Sequence, residues 1–282
     1  MFIRQKVSVI IPNFNYARFL SEAIESVFDQ SHKDIELIVV NNGSTDNSLE
    51  ILKPFNDRIT LVNQANLGQA NARNAGLRHI TGDFVAFLDA DDFWESDKLE
   101  KQLQRITKDN ELVYSGISRF RDQERKVVSV VTPSHSGDCS QFFLTSPGVS
   151  IVLSGESTTL LSRALLERVG LFDDNLNSAS GWDFFRRCSK FTKFDFVPEP
   201  LTNYRVHDLN MSNSSINTIE DIRRAYRKIF SDRDWAIDPT QAKDISRTLE
   251  ITFLKTYIKE CNLKLACHSF MSVMSANQWK SF

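Results

Sequence analysis

The first hundred residues repeat one alternation, and nothing else in the chain constrains its fold so tightly. Val7 to Ile11, Glu36 to Val40, Ile59 to Val62 and Phe84 to Leu88 are short, nearly continuous apolar runs. Such runs suit strands buried on both faces. Between them the spacing turns helical. Phe19, Leu20, Ala23, Ile24, Val27 and Phe28 fall on one helix face. Asp46 to Phe55 reads as a short helix opened by Ser44-Thr45-Asp46, and Gln69 to Ile80 as another, broken by Gly82. A helix from Ser96 to about Thr107 and a strand at Leu112 to Ser115 continue the pattern. This β-α-β order predicts an α/β fold, a Rossmann-like and mostly parallel sheet flanked by helices.

In such sheets ligands bind beyond the carboxyl ends of the strands. The polar clusters of this sequence fall at those ends. Pro12-Asn13-Phe14-Asn15 follows the first strand, Asn41-Asn42-Gly43-Ser44 the second, and Asp89-Ala90-Asp91-Asp92 the fourth. Loops on one edge of a sheet predict a single site. It is not a dinucleotide or P-loop site, because no two of the ten glycines stand two apart and no G-K-[ST] occurs. Its mark is carboxylate. Asp89, Asp91 and Asp92, with Glu95 and Asp97 behind, are like charges that raise one another's pKa. A hard divalent cation relieves that repulsion, and Mg²⁺ commonly takes one or two carboxylates plus substrate phosphates.

Composition excludes other classes. A net charge of -2 over 282 residues argues against nucleic acid as a partner. The 21 Phe, within 11% aromatic residues, argue against disorder. No run reaches the roughly 18–20 apolar residues of a membrane-spanning helix. Met1 to Lys6 does not read as a signal peptide. Cys139, Cys188, Cys261 and Cys267 form no C-x-x-C pair, which suits reduced thiols in a cytoplasmic protein.

Six segments, in order, carry a family resemblance over about residues 5–212. Val7–Tyr16 (V-S-V-I-I-P-N-F-N-Y) resembles the opening of family 2 glycosyltransferases. Glu36–Asp46 resembles their E-L-I-V-V-D-D-G-S-T-D, Asn66–Gly76 their N-x-G-x-x-x-A-R-N-x-G, and Gly82–Asp92 their G-x-x-I-x-F-L-D-A-D-D. Gly170–Asp174 and Tyr204–His207 resemble the later G-x-F-D-E and Y-R-x-H elements. The resemblance implies a GT-A fold and a metal-dependent, inverting transfer from a nucleotide-diphosphate-sugar, a UDP-sugar being favoured, to a glycan or lipid-linked acceptor in polysaccharide synthesis. Carried over by residue, it implies donor contacts from Pro12, Phe14, Asn15, Asn42, Arg73, Asp89, Ala90, Arg205 and His207. Phe14 would stack on the base, and Asp91, Asp92 and His207 would hold Mg²⁺ or Mn²⁺. Arg205 and His207 are expected in a late, mobile loop.

Two departures stand out. Asn41-Asn42 replaces an Asp pair, and Asn keeps both a donor and an acceptor for a base edge. The family's base position, in an E-D-x-[DE] segment, falls on Gly181, which cannot accept a proton. Asp183 is the nearest carboxylate along the chain and is the expected catalytic base. The alternative is a nucleotide-sugar-binding protein that has lost its base. A sugar-phosphate nucleotidyltransferase would need a glycine-rich segment after the first strand, which is absent. The transferase domain is expected over 1–215. A helical appendage over 216–282 comprises Ile219 to Phe230, Gln241 to Cys261 and Leu263 to Trp279. Its composition is compatible with covering the acceptor, with homodimerisation, or with peripheral contact at the inner face of the plasma membrane.

Overall fold

The computed structural model describes residues 5–122, 124, 126–145, 152, 155–176, 178–208, 215–231, 237–259 and 262–274. Its strands are β1 (Val7–Asn13), β2 (Ile35–Asn42), β3 (Thr60–Gln64), β4 (Phe84–Phe87), β5 (Phe93–Trp94), β6 (Leu112–Arg121), β7 (Lys126–Val131), β8 (Thr159–Ser162) and β9 (Phe194–Val206). Its helices are α1 (Ala17–Phe28), α2 (Ser48–Leu52), α3 (Gln69–Leu77), α4 (Lys98–Leu103), α5 (Ser140–Thr145), α6 (Arg163–Val169), α7 (Ser180–Cys188), α8 (Ser215–Ser231), α9 (Pro239–Lys259) and α10 (Leu263–Met274).

The strands form one sheet in the order β3-β2-β1-β4-β8-β6-β9-β5, with β7 on β6. The β3-β2-β1-β4 half is parallel, as the alternation predicts, so its carboxyl ends share one edge. β8 then runs antiparallel to both β4 and β6, and β9 parallel to β6. The sheet is therefore mixed. Val7, Val9 and Ile11 of β1 share a core with Leu20, Ala23, Ile24 and Val27 of α1, all nearly without solvent exposure. Burying side chains of this size contributes about 1.5–3 kcal/mol each.

The chain divides into two compact units. The first holds 1–140, 150–174 and 181–208, and contains the sheet. The second gathers 141–149 and 175–180 with 209–282. Within it, Asp221 Oδ2 accepts from the Ser178 amide at 2.8 Å, and the buried Tyr226 hydroxyl donates to the Phe143 carbonyl at 3.1 Å. The second unit is thus more than a C-terminal appendage, because two earlier segments are built into it.

Several elements differ from expectation. The helix expected from Ser96 begins at Lys98, and the strand expected at Leu112 to Ser115 runs on to Arg121 as β6. Tyr204, Arg205 and Val206 belong to strand β9 and not to a loop. Expected helix residues 260–261 and 275–279 lie outside the described residues.

Candidate active site

The loop after β1 is knitted to the loop after β2. Asn13 Nδ2 and the Asn15 amide both donate to Ser44 Oγ at 3.1 Å. Asn15 Oδ1 in turn accepts from the Thr45 amide at 2.8 Å. Asn15 holds φ 60°, a region Asn visits more readily than most residues. Gly43 reverses the chain with φ +75°, and a Cβ there would stand 2.6 Å from the Asn66 nitrogen. Asp46 serves two helices: Oδ2 accepts from the first amide of α1 at 2.9 Å, Oδ1 from the Ser48 amide at 3.0 Å. Phe14 projects from this scaffold 40% exposed, a free ring face at the strand edge, while Pro12 is buried beneath it.

The metal-type loop lies after β4. Asp91 Oδ2 meets His207 Nε2 at 3.0 Å. His207 follows β9 and is gripped between Phe19 and Tyr16, with ring centroids 5.0 and 5.7 Å away. Asp92 is buried, its Oδ1 accepting from the Arg205 amide at 3.1 Å and its Oδ2 left without a hydrogen bond of ordinary geometry. Burial, with Asp91 and Asp89 adjacent, holds the Asp92 carboxyl well above the usual carboxylate range. Burial and the same aspartates also raise the Tyr16 phenol. Ala90 is buried between these groups.

A divalent cation fits this donor set. An imidazole nitrogen and a carboxylate oxygen converge, an unsatisfied carboxylate oxygen lies beside them, and the local charge is negative. No group of three or more His, Cys, Asp or Glu side chains suited to a metal occurs among the described residues.

Several site expectations are corrected by this geometry. Arg205 does not point at a donor: its guanidinium is fully buried between Phe19, Phe93 and Phe120. It pairs with Glu22 and Asp122, and its Nε donates to the Asp91 carbonyl at 2.9 Å. It is a clamp on the metal-type loop. Asn42 is 4% exposed and spends its whole amide internally. Nδ2 donates to Asn66 Oδ1 at 3.2 Å and Gly68 O at 3.3 Å, while Oδ1 accepts from Gln64 Nε2 at 2.8 Å and the Leu67 amide at 3.2 Å. No amide edge remains for a nucleobase.

Arg73 is buried too. Its Nη2 meets Asp89 Oδ1 at 3.0 Å and its Nη1 meets Glu156 Oε1 at 2.6 Å. It orients carboxylates and does not project toward a base. Asp89 remains 24% exposed and also accepts from Gln69 Nε2 at 3.1 Å. Next to Arg73, Asn74 exchanges two hydrogen bonds of 2.9 Å with the backbone of Phe172. Phe172 stacks on Phe184 of α7 at 4.3 Å. The A-R-N and G-L-F-D segments are thus neighbours, and both lead to α7.

Asp183 is not placed as a base. Its side chain is 3% exposed and lies between Arg186 Nη2 and Arg187 Nε, each at 2.8 Å. Each of its carboxylate oxygens is taken by a guanidinium, and the i,i+3 and i,i+4 spacing is that of a helix-stabilising pair. Glu156, in the polar stretch 154–159 that the sequence places at the acceptor side without giving this residue a role, lies in a 3₁₀ turn, Gly155–Thr158, held to the metal-type loop. The Asp89 amide donates to Ser157 Oγ at 3.0 Å and Trp94 Nε1 to Ser157 O at 2.7 Å. Only a polar S-G-E-S-T-T stretch before an apolar run marked that turn in the sequence.

Comparison with known proteins agrees with this architecture. The chain is 34% identical over 225 residues to an uncharacterized glycosyltransferase of Nostoc sp., covering 77% of this chain and 69% of that protein. S. aureus TarS 1-349 in complex with UDP-GlcNAc superposes with TM-score 0.69 at 18% identity, covering 96% of this chain and 81% of that one. The mannosyltransferase PcManGT from Pyrobaculum calidifontis, in complex with GDP-Man and Mn²⁺, gives 0.62 at 20% identity, over 97% and 76%. These two likenesses are of fold, and the fold is GT-A. The family model described as glycosyl transferase family 2 matches residues 8–157, the stretch carrying all three polar loops and the turn at Glu156, and the chain belongs to that family.

Proposed function

We propose that this glycosyltransferase moves a sugar from a nucleotide-diphosphate-sugar to an acceptor hydroxyl with inversion, using Mg²⁺ or Mn²⁺. One observation carries the reading: His207 Nε2 lies 3.0 Å from Asp91 Oδ2, so the fourth and the last of the family-like segments meet at one point. The cation, when bound, supplies positive charge to the diphosphate as it leaves. Asp91 and His207 hold it, and Asp92 adds charge beside them. Arg205 fixes the loop that carries both aspartates. Phe14 offers the ring on which a base stacks. Structural relatives holding UDP-GlcNAc and GDP-Man make UDP- and GDP-sugars the first donors to test. The acceptor is a glycan or a lipid-linked saccharide, consistent with polysaccharide synthesis.

The test is release of nucleoside diphosphate from a panel of UDP-, GDP- and dTDP-sugars with Mn²⁺ or Mg²⁺. One donor is expected to turn over, and chelation to stop it. His207→Ala is expected to lower turnover about 100-fold, the scale of losing one transition-state electrostatic contact. Unchanged turnover in His207→Ala or in excess chelator would remove the metal role. A second reading, a binding protein without a base, draws support from Gly181 and from the paired state of Asp183. Saturable donor binding with no turnover across acceptors would favour it.

A further inference from the structure

Gly181 occupies the position where the family resemblance puts the base, and the space a side chain would take there is filled by a neighbour. A Cβ built on Gly181 would stand 2.3 Å from Glu156 Oε1, 2.8 Å from its Cδ and 3.1 Å from its Oε2. The carboxyl of Glu156 therefore fills the volume that a side chain at 181 would enter. It comes from the other direction, from the 3₁₀ turn and not from α7. Real Cβ contacts never approach 2.3 Å, so a side chain at 181 requires the Glu156 carboxyl to move aside.

The position of that carboxyl is also right. It lies one guanidinium away from the donor-side loop: Arg73 bridges Glu156 Oε1 at 2.6 Å and Asp89 Oδ1 at 3.0 Å. The turn carrying it is fastened to that loop through Ser157. A buried carboxylate opposite an Arg already paired with Asp89 costs desolvation for little gain in stability. Only Oε1 of Glu156 meets Arg73, at 2.6 Å.

We propose that Glu156 is the base of the transfer, a carboxylate relocated from 181 to the preceding turn. The inference rests on the transferase reading above. In the step, the acceptor O–H proton passes to a Glu156 carboxylate oxygen as the acceptor oxygen bonds to the anomeric carbon. The bond from that carbon to the diphosphate breaks, and its electron pair leaves with the nucleoside diphosphate. The protonated Glu156 then returns its proton to water. Burial raises the Glu156 carboxyl first of all, Arg73 opposes this and Asp89 adds to it, and the outcome is upward. A carboxylate of raised pKa is a better base near neutrality.

The experiment uses the whole chain with the donor and acceptor that the wild type turns over. Glu156→Gln keeps the size and removes the basic oxygen. Its kcat is expected to fall about 100-fold or more, the scale of general base catalysis, with donor KM and donor Kd within 3-fold or so of wild type. Gly181→Asp alone is expected to be slower than wild type, because its Cβ displaces the Glu156 carboxyl. The double variant E156A/G181D is expected to regain at least about a tenth of wild-type kcat by restoring a carboxylate from the α7 side. A Glu156→Gln enzyme with near-wild-type kcat overturns the inference and leaves the transferase reading standing. So does a folded, donor-binding double variant no faster than Glu156→Gln, because Glu156 would then be only a counterion to Arg73. A wild type that releases diphosphate from no donor overturns the transferase reading and this inference with it.

Discussion

Single residues here separate motif from role. Asn42 sits at a motif Asp yet behaves as a knot of four hydrogen bonds. Asn42→Asp would turn two donated bonds into carboxylate–oxygen repulsions. The Asn66 amide can turn over to answer, but the Gly68 carbonyl cannot. The substitution is expected to cost about 2 kcal/mol at neutral pH. Urea unfolding would measure it, and an unchanged midpoint would refute the bonding scheme. Asp183 is the opposite case, a carboxylate near the expected base position that the fold consumes. Asp183→Asn removes the carboxylate charge that Arg186 and Arg187 share. The expected loss is about 3 kcal/mol of stability, with kcat per folded molecule within a few-fold of wild type. Loss of turnover without loss of stability would reinstate Asp183 as the base. The sequence could not show this difference, because a carboxylate's partners depend on side chains folded against it.

Among the elements, β1, β2 and β4 were legible because both faces of each strand are largely covered, which writes a continuous apolar run. The strand β9 was not. Pro198 and Pro200 interrupt it, and its register against β6 shifts at Gly116, where Ser115 pairs Val197 and Gly116 pairs Pro200. Prolines sit there because a bulge asks less of their missing amide. With β9 unread, Arg205 and His207 were expected in a loop. At the opposite end of the parallel strands from the site, Glu36 of β2 ties β1 to the turn before β4. Burial pushes its carboxyl up, but bonds from Lys6, Ser8 and Thr81 outweigh this and hold it at about 2. Its folded pKa is thus below the ordinary value of 4.5. The stability it contributes is fully present above that value and is lost as pH falls through about 2. Glu36→Gln is expected to cost about 1–2 kcal/mol at pH 7 and to flatten the acid limb of the stability curve. Equilibrium unfolding at pH 7 and pH 3 measures both effects, and parallel pH curves for the two proteins would refute the link.

For the whole molecule, the division at 215 expected from sequence follows the chain, whereas the compact units do not. Segments 141–149 and 175–180 belong with the C-terminal helices. Truncation after residue 215 removes Asp221 from the Ser178 amide and Tyr226 from the Phe143 carbonyl. The shortened chain is expected to aggregate or to melt well below the full chain in a thermal scan, and an equally stable truncation would show that the appendage is autonomous. No helix among the described residues is long and apolar enough to cross a membrane. The contact between Gly181 and Glu156 has a consequence for ancestry. A Cβ at 181 meets the Glu156 carboxyl where it now lies, so a side chain at 181 asks that carboxyl to turn away. If Glu156 is the base, relatives should fall into two groups, those with an acidic 181 and a small or differently turned residue at 156, and those with Glu at 156 and Gly at 181. The two positions are then expected to change together along a lineage and not independently.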